Sequence, residues 1–180
     1  MSLYFITGAP GAGKSAVTTG MEAKGYAIYD TDDPERTGMA GWHSLETGEY
    51  VAGYNEVEVT ERLLKTHLWK LTDAALEGFV DRAESESIYL SGRLRDARPV
   101  IDVADRILFL TLPDAVVNER LIRRSQIPGE VEWGAEPWQR ERSMQVNREI
   151  EEEYRALGAI MINADQPREL VVAAVIEATT

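Results

Sequence analysis

Eight residues near the start of the chain carry the clearest chemical signal in the sequence. They run from Gly8 to Ser15, read GAPGAGKS, and fit the pattern G-x-x-x-x-G-K-[ST] of a phosphate-binding loop. The apolar, β-rich residues 3–6 precede them, and a helical pattern follows until Gly25. Strand, glycine-rich loop and helix form the context in which this pattern binds phosphate. The alternative is an ordinary glycine-rich turn with an exposed lysine.

The residue types in this loop suit a polyphosphate and a magnesium ion. Glycines permit torsions that a Cβ forbids and let backbone N–H groups approach an anion, and the helix that follows adds its positive end. Lys14 supplies a point charge for the β- and γ-phosphates, and the Ser15 hydroxyl is an oxygen ligand for Mg²⁺. The predicted nucleotide-binding residues are Gly8, Pro10, Gly11, Ala12, Gly13, Lys14, Ser15 and Ala16.

A carboxylate cluster follows the second predicted strand, which covers residues 26–29. Asp30 and Asp32 project to the same side of an extended segment, at the edge of a parallel sheet where ligands bind. One can hold a Mg²⁺-bound water, and the other can accept a proton from a substrate hydroxyl. The alternative is an Asx-type turn or a cap before Pro34, and we assign Asp33 mostly to such a turn.

Arginines form two further groups. Arg93, Arg95 and Arg98 follow the third predicted strand, residues 88–90, and suit a phosphate or carboxylate, although a solvated, salt-bridged segment is the alternative. The second group, Arg120, Arg123 and Arg124, lies near the end of a helix predicted from Ala115 to about Ser125. Cations there complement the helix dipole, or they clamp the γ-phosphate and the transition state.

Residues 34–55 read as a long loop, and long loops are often functional. Trp42 either forms a wall against a flat or sugar-like substrate or anchors the loop to the body. We expect His43 to be a solvated loop residue. A helix is predicted from Asn55 through Phe79, with His67 packed in its apolar stripe.

The elements that must position these residues predict an α/β fold. Five short apolar strands, near residues 3–6, 26–29, 88–90, 107–110 and 159–162, alternate with helices. This order predicts one domain over residues 1–180, a five-stranded parallel sheet with helices on both faces. We expect a substrate-binding insert at about 34–84 and a short mobile lid at about 126–136. A mainly solvated charged helix follows the lid, and a last helix begins after Pro167.

The composition of the chain limits the classes of partner that it is expected to bind. The net charge is −12 and the pI about 4.7, which argues against a nucleic-acid partner. There is no cysteine, no apolar run of membrane-spanning length and no visible signal peptide, so a cytoplasmic protein with no membrane partner is the default expectation. We expect a small-molecule substrate and a monomer or homodimer.

Taken in order, these segments resemble the small P-loop kinases, such as adenylate kinase, shikimate kinase and gluconate kinase, across nearly the whole chain. The resemblance rests on GAPGAGKS at 8–15, DTD at 30–32, SGR at 91–93 and LPDAVVNERLIRR at 112–124. It implies ATP and Mg²⁺ as cofactors, with Arg120 on the adenine, Arg124 on the transferred phosphate and Pro167 flanking the base. It also implies that Asp30 orders a magnesium-bound water and that Asp32 meets the substrate hydroxyl.

The acceptor is not identified by this resemblance. Ser91 replaces the Asp of the adenylate kinase segment, Arg93 arrives two residues earlier, and the glycine triplet of shikimate kinases is absent. The prediction is a kinase that transfers the γ-phosphoryl group of Mg-ATP to a small-molecule hydroxyl or phosphate, with Lys14, Asp32 and Arg124 as catalytic residues. Asp32, Trp42 and Arg93 are the predicted substrate contacts. The alternatives are a nucleotide-binding regulatory ATPase and a 5′-hydroxyl polynucleotide kinase.

Overall fold

A computed structural model describes residues 1–32, 39–52, 59–127 and 133–180. The strands are β1 (Leu3–Gly8), β2 (Ala27–Asp30), β3 (Ala40–Ser44), β4 (Tyr50–Ala52), β5 (His67–Leu71), β6 (Ile88–Ser91), β7 (Arg106–Thr111) and β8 (Ile160–Asn163). The helices are α1 (Lys14–Glu22), α2 (Glu61–Thr66), α3 (Asp73–Ala83), α4 (Arg98–Val103), α5 (Asp114–Ser125), α6 (Pro137–Ala156) and α7 (Arg168–Glu177).

Five of these strands form the predicted parallel sheet, in the order β2-β6-β1-β7-β8. All five predicted strands are present, so the fold class is confirmed. β1 lies at the centre, between β6 and β7, and the phosphate loop leaves its carboxyl end. The carboxyl ends of β2 and β6 lie at the same edge, because the strands are parallel. This edge therefore collects the residues that the sequence singled out.

The sheet separates two hydrophobic cores, because alternate residues of a strand face opposite sides. On one side Tyr4 and Ile6 belong to a core with Val17 of α1 and Val172 of α7. On the other side, Leu3 and Phe5 belong to a core with Phe79 of α3, Val100 of α4 and Tyr154 of α6. Helices cover both faces as predicted, and this packing holds the strand ends in fixed positions.

The segment predicted as a loop and one long helix folds differently. Its described part contains a three-stranded antiparallel sheet in the order β4-β3-β5, in which β3 pairs with β5 from Ala40–Leu71 to Ser44–His67. The predicted helix from Asn55 to Phe79 is wrong. Residues 61–66 and 73–83 are helical, but 67–71 form a strand between them.

Two threonines and an alternating pattern explain this difference. The Thr60 and Thr72 side chains accept hydrogen bonds from the N–H groups of Leu63 and Ala75, so each begins a separate helix. Between them, the sequence His-Leu-Trp-Lys-Leu alternates, with Trp69 and Leu71 buried. The apolar spacing that suggested one helix is therefore shared between a strand and two short helices.

The histidine predictions change with the fold. His43 is buried on β3, where its Nδ1 lies 3.0 Å from the Gly41 carbonyl and its ring packs edge-on against Tyr50, so the expected solvated loop residue is wrong. His67 lies on β5 rather than on a helix, and its Nδ1 is 2.7 Å from the Thr66 hydroxyl.

The bounds of the other elements agree with the predictions to within about two residues, and α4 was not predicted. Asp33, Pro34, Asn55 and the middle of the predicted lid, residues 128–132, lie outside the described residues. None of the helices described for this chain is long and apolar enough to span a lipid bilayer.

Candidate active site

The phosphate loop has the backbone shape that its glycines permit. Gly11 and Gly13 have φ values of 84° and 95°, a region that residues with a Cβ rarely adopt, and Gly13 caps the start of α1. Gly8 approaches β7 so closely that a Cβ would lie 2.9 Å from the Leu110 carbonyl oxygen. The loop thus presents the N-terminal end of α1, with its unpaired N–H groups, to the cavity beside it.

Lys14 lies inside this loop rather than in solvent. It is 7% exposed, and its Nζ donates to the carbonyl oxygens of Gly8 and Ala9 at 3.2 and 3.4 Å. The same Nζ lies 3.4 Å from Oδ2 of Asp32. A buried ammonium needs several acceptors, and here two carbonyls and one carboxylate supply them.

Asp30 connects the loop with the acidic cluster. Its Oδ1 accepts a hydrogen bond from the backbone N–H of Asp32 at 3.0 Å, and the nearby Ser15 hydroxyl favours its charged form and so lowers its pKa slightly. The bond from the Asp32 N–H forms an Asx turn, which is the alternative that the sequence offered for this residue. Burial, followed by the negative charge of Asp32, raises the pKa of Asp30, while Lys14 opposes that rise.

Asp32 fixes the segment after β6. Its Oδ1 accepts a 2.6 Å hydrogen bond from the backbone N–H of Arg93. The turn packs tightly on Gly92, where an added Cβ would lie 1.9 Å from the Thr31 hydroxyl oxygen. Burial lowers the pKa of the Arg93 guanidinium to about 10, and the charge of Asp32 opposes that change. A desolvated guanidinium thus lies close to the carboxylate.

These residues surround one large cavity of about 1460 Å³. Most predicted site residues line it, namely Pro10, Gly11, Ala12, Gly13, Lys14, Ser15, Ala16, Asp32, Trp42, Arg93, Arg120 and Arg124. Gly8 and Asp30 support the lining from behind, through the contacts described above. Pro167 stands at the N-terminus of α7, between the lining residues Gln166 and Arg168.

The lining is basic, although the whole chain is acidic. Among the described residues it includes nine of the 19 lysines and arginines but only three of the 31 aspartates and glutamates. The cations are Lys14, Lys65, Arg93, Arg95, Arg120, Arg123, Arg124, Arg142 and Arg168. Fields of one sign in a cleft concentrate ligands of the opposite charge. The cavity is therefore suited to an anionic ligand.

All four tryptophans of the chain also line this cavity. Trp42 and Trp69 pack edge-on with ring centroids 5.4 Å apart, and Trp133 and Trp138 form a second edge-on pair at the same distance. The first pair belongs to the antiparallel sheet, and the second stands beside the start of α6. Of these four, the sequence analysis selected only Trp42, because nothing local distinguishes a cavity tryptophan from a core tryptophan.

Arg120 and Arg124 donate hydrogen bonds to backbone carbonyls in this structure. Arg120 donates to the Gly11 carbonyl at 3.4 Å and to the Ala164 carbonyl at 2.9 Å, and thus connects the phosphate loop with β8. Arg124 donates to the Trp133 carbonyl at 2.8 Å. Both side chains line the cavity, within the helix that the sequence analysis selected.

The remaining arginines divide between the site and the surface. Arg95 donates to the carbonyls of Leu64 and His67, and burial lowers its pKa. Arg98 is exposed and pairs with Asp102 at 2.8 Å, so the salt-bridged alternative holds for it. Arg142, which the sequence assigned to a solvated helix face, lines the cavity.

The donor set at Ser15 and Asp30 fits magnesium. Oxygen ligands suit Mg²⁺, which usually keeps several waters and takes its remaining ligands from one or two carboxylates and from phosphates. A hydroxyl and a buried carboxylate in mutual contact beside a phosphate loop meet that requirement. The described residues contain no group of three or more His, Cys, Asp or Glu side chains placed to hold a metal, so a purely protein-bound metal is not indicated there.

Comparison with known proteins shows which solved structures share the fold of this chain. No protein-family model matches the chain, and no curated protein matches it by sequence. Among solved structures, it is similar to a shikimate kinase from Acinetobacter baumannii in complex with shikimate, at 15% identity and a TM-score of 0.55. That match covers 100% of this chain and 95% of the other chain.

A gluconokinase from Sinorhizobium meliloti is similar at 18% identity and a TM-score of 0.50, over 99% of this chain and 95% of that one. At such identities the likeness establishes the fold alone. The parallel sheet, the phosphate loop at its centre and these two neighbours together show that the chain has the fold of the P-loop kinases.

Proposed function

We propose that this protein is a small-molecule kinase that transfers the γ-phosphoryl group of Mg-ATP to a hydroxyl group. The observation that carries the proposal is the meeting of Lys14, Ser15, Asp30 and Asp32 at one end of a basic cavity. These residues come from two different strand–turn segments, and a purely structural glycine turn would not require them to converge.

The residues around the phosphate loop divide into two binding roles. The backbone N–H groups of Gly11 and Gly13 and the ammonium of Lys14 bind the polyphosphate. Ser15 and Asp30 hold Mg²⁺, directly or through its waters. The bound metal would supply charge neutralisation at the phosphate oxygens.

The proposal also includes a binding site for the nucleoside end of the nucleotide. The Arg120 guanidinium already spans the loop and β8 through the Gly11 and Ala164 carbonyls, and lines the cavity at that point. Arg120 and Pro167 are therefore the proposed contacts of the base. Arg124, one helical turn further along α5, is the proposed contact of the transferred phosphoryl group.

Asp32 is the proposed general base. Its carboxylate lines the cavity, about one-third exposed, and contacts Lys14 on one side and the Arg93 N–H on the other. The acceptor oxygen forms a bond to phosphorus while the bond to the bridging β–γ oxygen breaks, the proton passes to Asp32, and ADP leaves. The ammonium of Lys14, 3.4 Å from Oδ2, fixes the position of this carboxylate at the cavity.

The acceptor half of the cavity favours a small anionic or polyoxygenated molecule. Arg93 provides a desolvated guanidinium beside the base, and Arg142 adds a second one to the lining. Guanidinium groups bind carboxylates and phosphates in two-point contacts. Trp42 and Trp69 close the cavity on the side of the antiparallel sheet.

The test is a screen for ADP release with Mg-ATP and a panel of sugars, hydroxy acids, nucleosides and nucleotides. We expect release that depends on one class of acceptor and on Mg²⁺. Because all four tryptophans line the cavity, intrinsic fluorescence should also change when a non-hydrolysable ATP analogue is added with Mg²⁺.

Two results would replace this proposal by another. Steady ATP hydrolysis that no metabolite affects would favour a regulatory ATPase. Phosphorylation of a labelled oligonucleotide at its 5′-hydroxyl would favour a polynucleotide kinase, in spite of the net charge of −12. No heat or fluorescence change with any nucleoside triphosphate would contradict all three functions.

A further inference from the structure

We propose that Trp42 is a hydrogen-bond donor to the acceptor substrate, so that its indole N–H selects molecules with an oxygen acceptor besides the hydroxyl that is phosphorylated. The inference rests on the proposed kinase function and deepens it. It gives Trp42 a polar role in place of the flat wall that the sequence suggested.

The first observation is a buried donor without a partner. Trp42 is 4% exposed and lines the cavity. Its Nε1 is buried and has no hydrogen-bond partner among the residues that the structure describes. A buried donor left unpaired destabilises a folded protein, and most such groups in folded proteins are paired. A ligand oxygen is the partner that a cavity residue can acquire.

The second observation is the contrast with its neighbour. Trp69, whose ring lies 5.4 Å away at an angle of 65°, donates from Nε1 to the Thr31 carbonyl oxygen at 3.0 Å. The two residues face each other across the β3–β5 ladder. One indole N–H is thus used to attach the antiparallel sheet to the central sheet, and the other is not used within the described structure.

The third observation is position. Thr31, which receives the Trp69 bond, directly precedes the proposed base Asp32, so the tryptophan pair stands beside the place where the acceptor hydroxyl must lie. An acceptor with its reacting hydroxyl at Asp32 can place a second oxygen against Trp42. The shared chemistry is an oxygen acceptor, from a hydroxyl, a carboxylate or a phosphate.

The test begins with the ligand-free protein and two matched variants, Trp42→Phe and Trp69→Phe. Trp42→Phe removes an unpaired donor and part of a buried ring, so we expect a smaller loss of Tm than in Trp69→Phe, which removes the same volume and a hydrogen bond as well. Trp69→Phe leaves the Thr31 carbonyl without its partner and should lower the Tm by several degrees. An equal loss of Tm in both variants would show that Trp42 Nε1 has a partner within the protein, and would overturn the inference.

The second arm uses ¹⁵N-labelled full-length protein, in which the indole signal lost in Trp42→Phe identifies Trp42. Sorbitol, shikimate and AMP serve as probes for hydroxyl, carboxylate and phosphate oxygens, each added with Mg²⁺ and a non-hydrolysable ATP analogue. We expect a downfield shift of the Trp42 indole proton with at least one probe, and a loss of affinity for it of about tenfold or more in Trp42→Phe.

A Trp42 signal that moves with none of the three probes, in a protein that binds the nucleotide analogue, would overturn the inference and leave the kinase proposal standing. A protein that does not bind the nucleotide analogue would remove the proposed function itself. The two failures are therefore distinguishable in one titration series.

Discussion

The ammonium of Lys14 and the carboxylate of Asp32 lie 3.4 Å apart, at the point where the phosphate loop meets the acidic turn after β2. In the proposed function, the lysine that binds the phosphates is thus paired with the proposed base. A phosphate bound to Lys14 would weaken this pairing and leave Asp32 facing the acceptor. The two halves of the site are electrostatically coupled through this contact.

Asp32→Asn should have different effects on nucleotide binding and on phosphoryl transfer. The variant removes a negative charge close to the phosphate site, so we expect the affinity for a non-hydrolysable ATP analogue to stay the same or to rise by roughly twofold to tenfold. The rate of transfer to a hydroxyl should fall by about 10²- to 10⁴-fold, because the base is lost. Calorimetry and ADP release measure the two effects. Asp102→Asn, which changes an exposed carboxylate paired with Arg98, is the control. A mild loss of rate would indicate a phosphate acceptor.

Lys14→Ala should abolish turnover without loss of the fold. Among the described residues its ammonium contacts the Gly8 and Ala9 carbonyls and Asp32, and Lys14 belongs to neither hydrophobic core, so we expect its removal to leave the cores intact. We expect kcat to fall by about 10³-fold or more, since preorganised charges of this kind are worth roughly 10²–10³ each. Circular dichroism and steady-state kinetics are the measurements, and the exposed Lys24→Ala is the matched control. Full activity in Lys14→Ala would contradict the phosphate-loop assignment.

Asp30→Asn distinguishes metal binding from turn formation. The asparagine oxygen can still accept the Asp32 N–H, so the Asx turn should persist, and the removal of a buried charge should leave the Tm unchanged or higher. Activity should fall by about 10²-fold or more, because Ser15 loses its anionic partner at the Mg²⁺ site. Kinetics over a range of Mg²⁺ concentrations check this. A variant with normal activity and a low Tm would show that Asp30 serves the turn alone.

Arg93 and Arg98 provide a matched pair within one segment. Arg93 is desolvated beside Asp32, whereas Arg98 is exposed and does not line the large cavity. For the acceptor found in the screen, we expect Arg93→Ala to raise KM by about tenfold to a hundredfold, which corresponds to one charged hydrogen bond. Arg98→Ala should change KM less than about twofold. Equal effects in the two variants would mean that the acceptor does not use Arg93.

Tyr154 gives a prediction for alkaline pH. Burial raises its pKa from 10.0 to about 12, and its ring packs against Phe5 and Phe109. Because the folded protein holds this proton more tightly, the contribution is fully present below pH 10 and is lost as the pH rises through 12. We expect this loss to amount to about 2–3 kcal/mol of unfolding free energy, and to be absent in Tyr154→Phe. Urea unfolding at several pH values measures it.

The control for this experiment is Tyr50→Phe, because Tyr50 is 54% exposed. It should keep the alkaline loss of the unmodified protein. If Tyr154→Phe shows the same pH dependence as the control, Tyr154 does not remain protonated in the folded state.

Local chemistry explains why many residues that line the cavity could be predicted from the sequence. The loop from Gly8 to Ser15 needs particular residues at fixed spacing, and the buried strands of a parallel sheet are continuous apolar runs. Asp32 and Arg93 were found because they follow such strands. These features are encoded within a few residues, so no knowledge of distant contacts was needed.

The fold of the insert and the identity of several residues that line the cavity depend on contacts between distant parts of the chain. The sequence alone was therefore insufficient to predict them. Leu68 and Leu71 fit an apolar helical stripe equally well, and only pairing with β3 and the Thr72 cap make their segment a strand. Arg142 stands among many charges on α6, and no pattern in the sequence tells which of them faces the cavity. Burial of His43 likewise results from the strand pairing that the loop prediction excluded.

The bond from Trp69 to the Thr31 carbonyl has a consequence for anyone who wishes to re-engineer this scaffold. It joins the antiparallel sheet to Thr31, which lies between the two aspartates, through a hydrogen bond of 3.0 Å. A transplanted module from another enzyme would arrive without that bond, and the turn would then be held only from the side of the central sheet, by contacts such as those with Ser91 and Arg93. The binding of a new acceptor and the position of the turn that carries Asp32 would then have to be redesigned together, because this hydrogen bond joins the two segments.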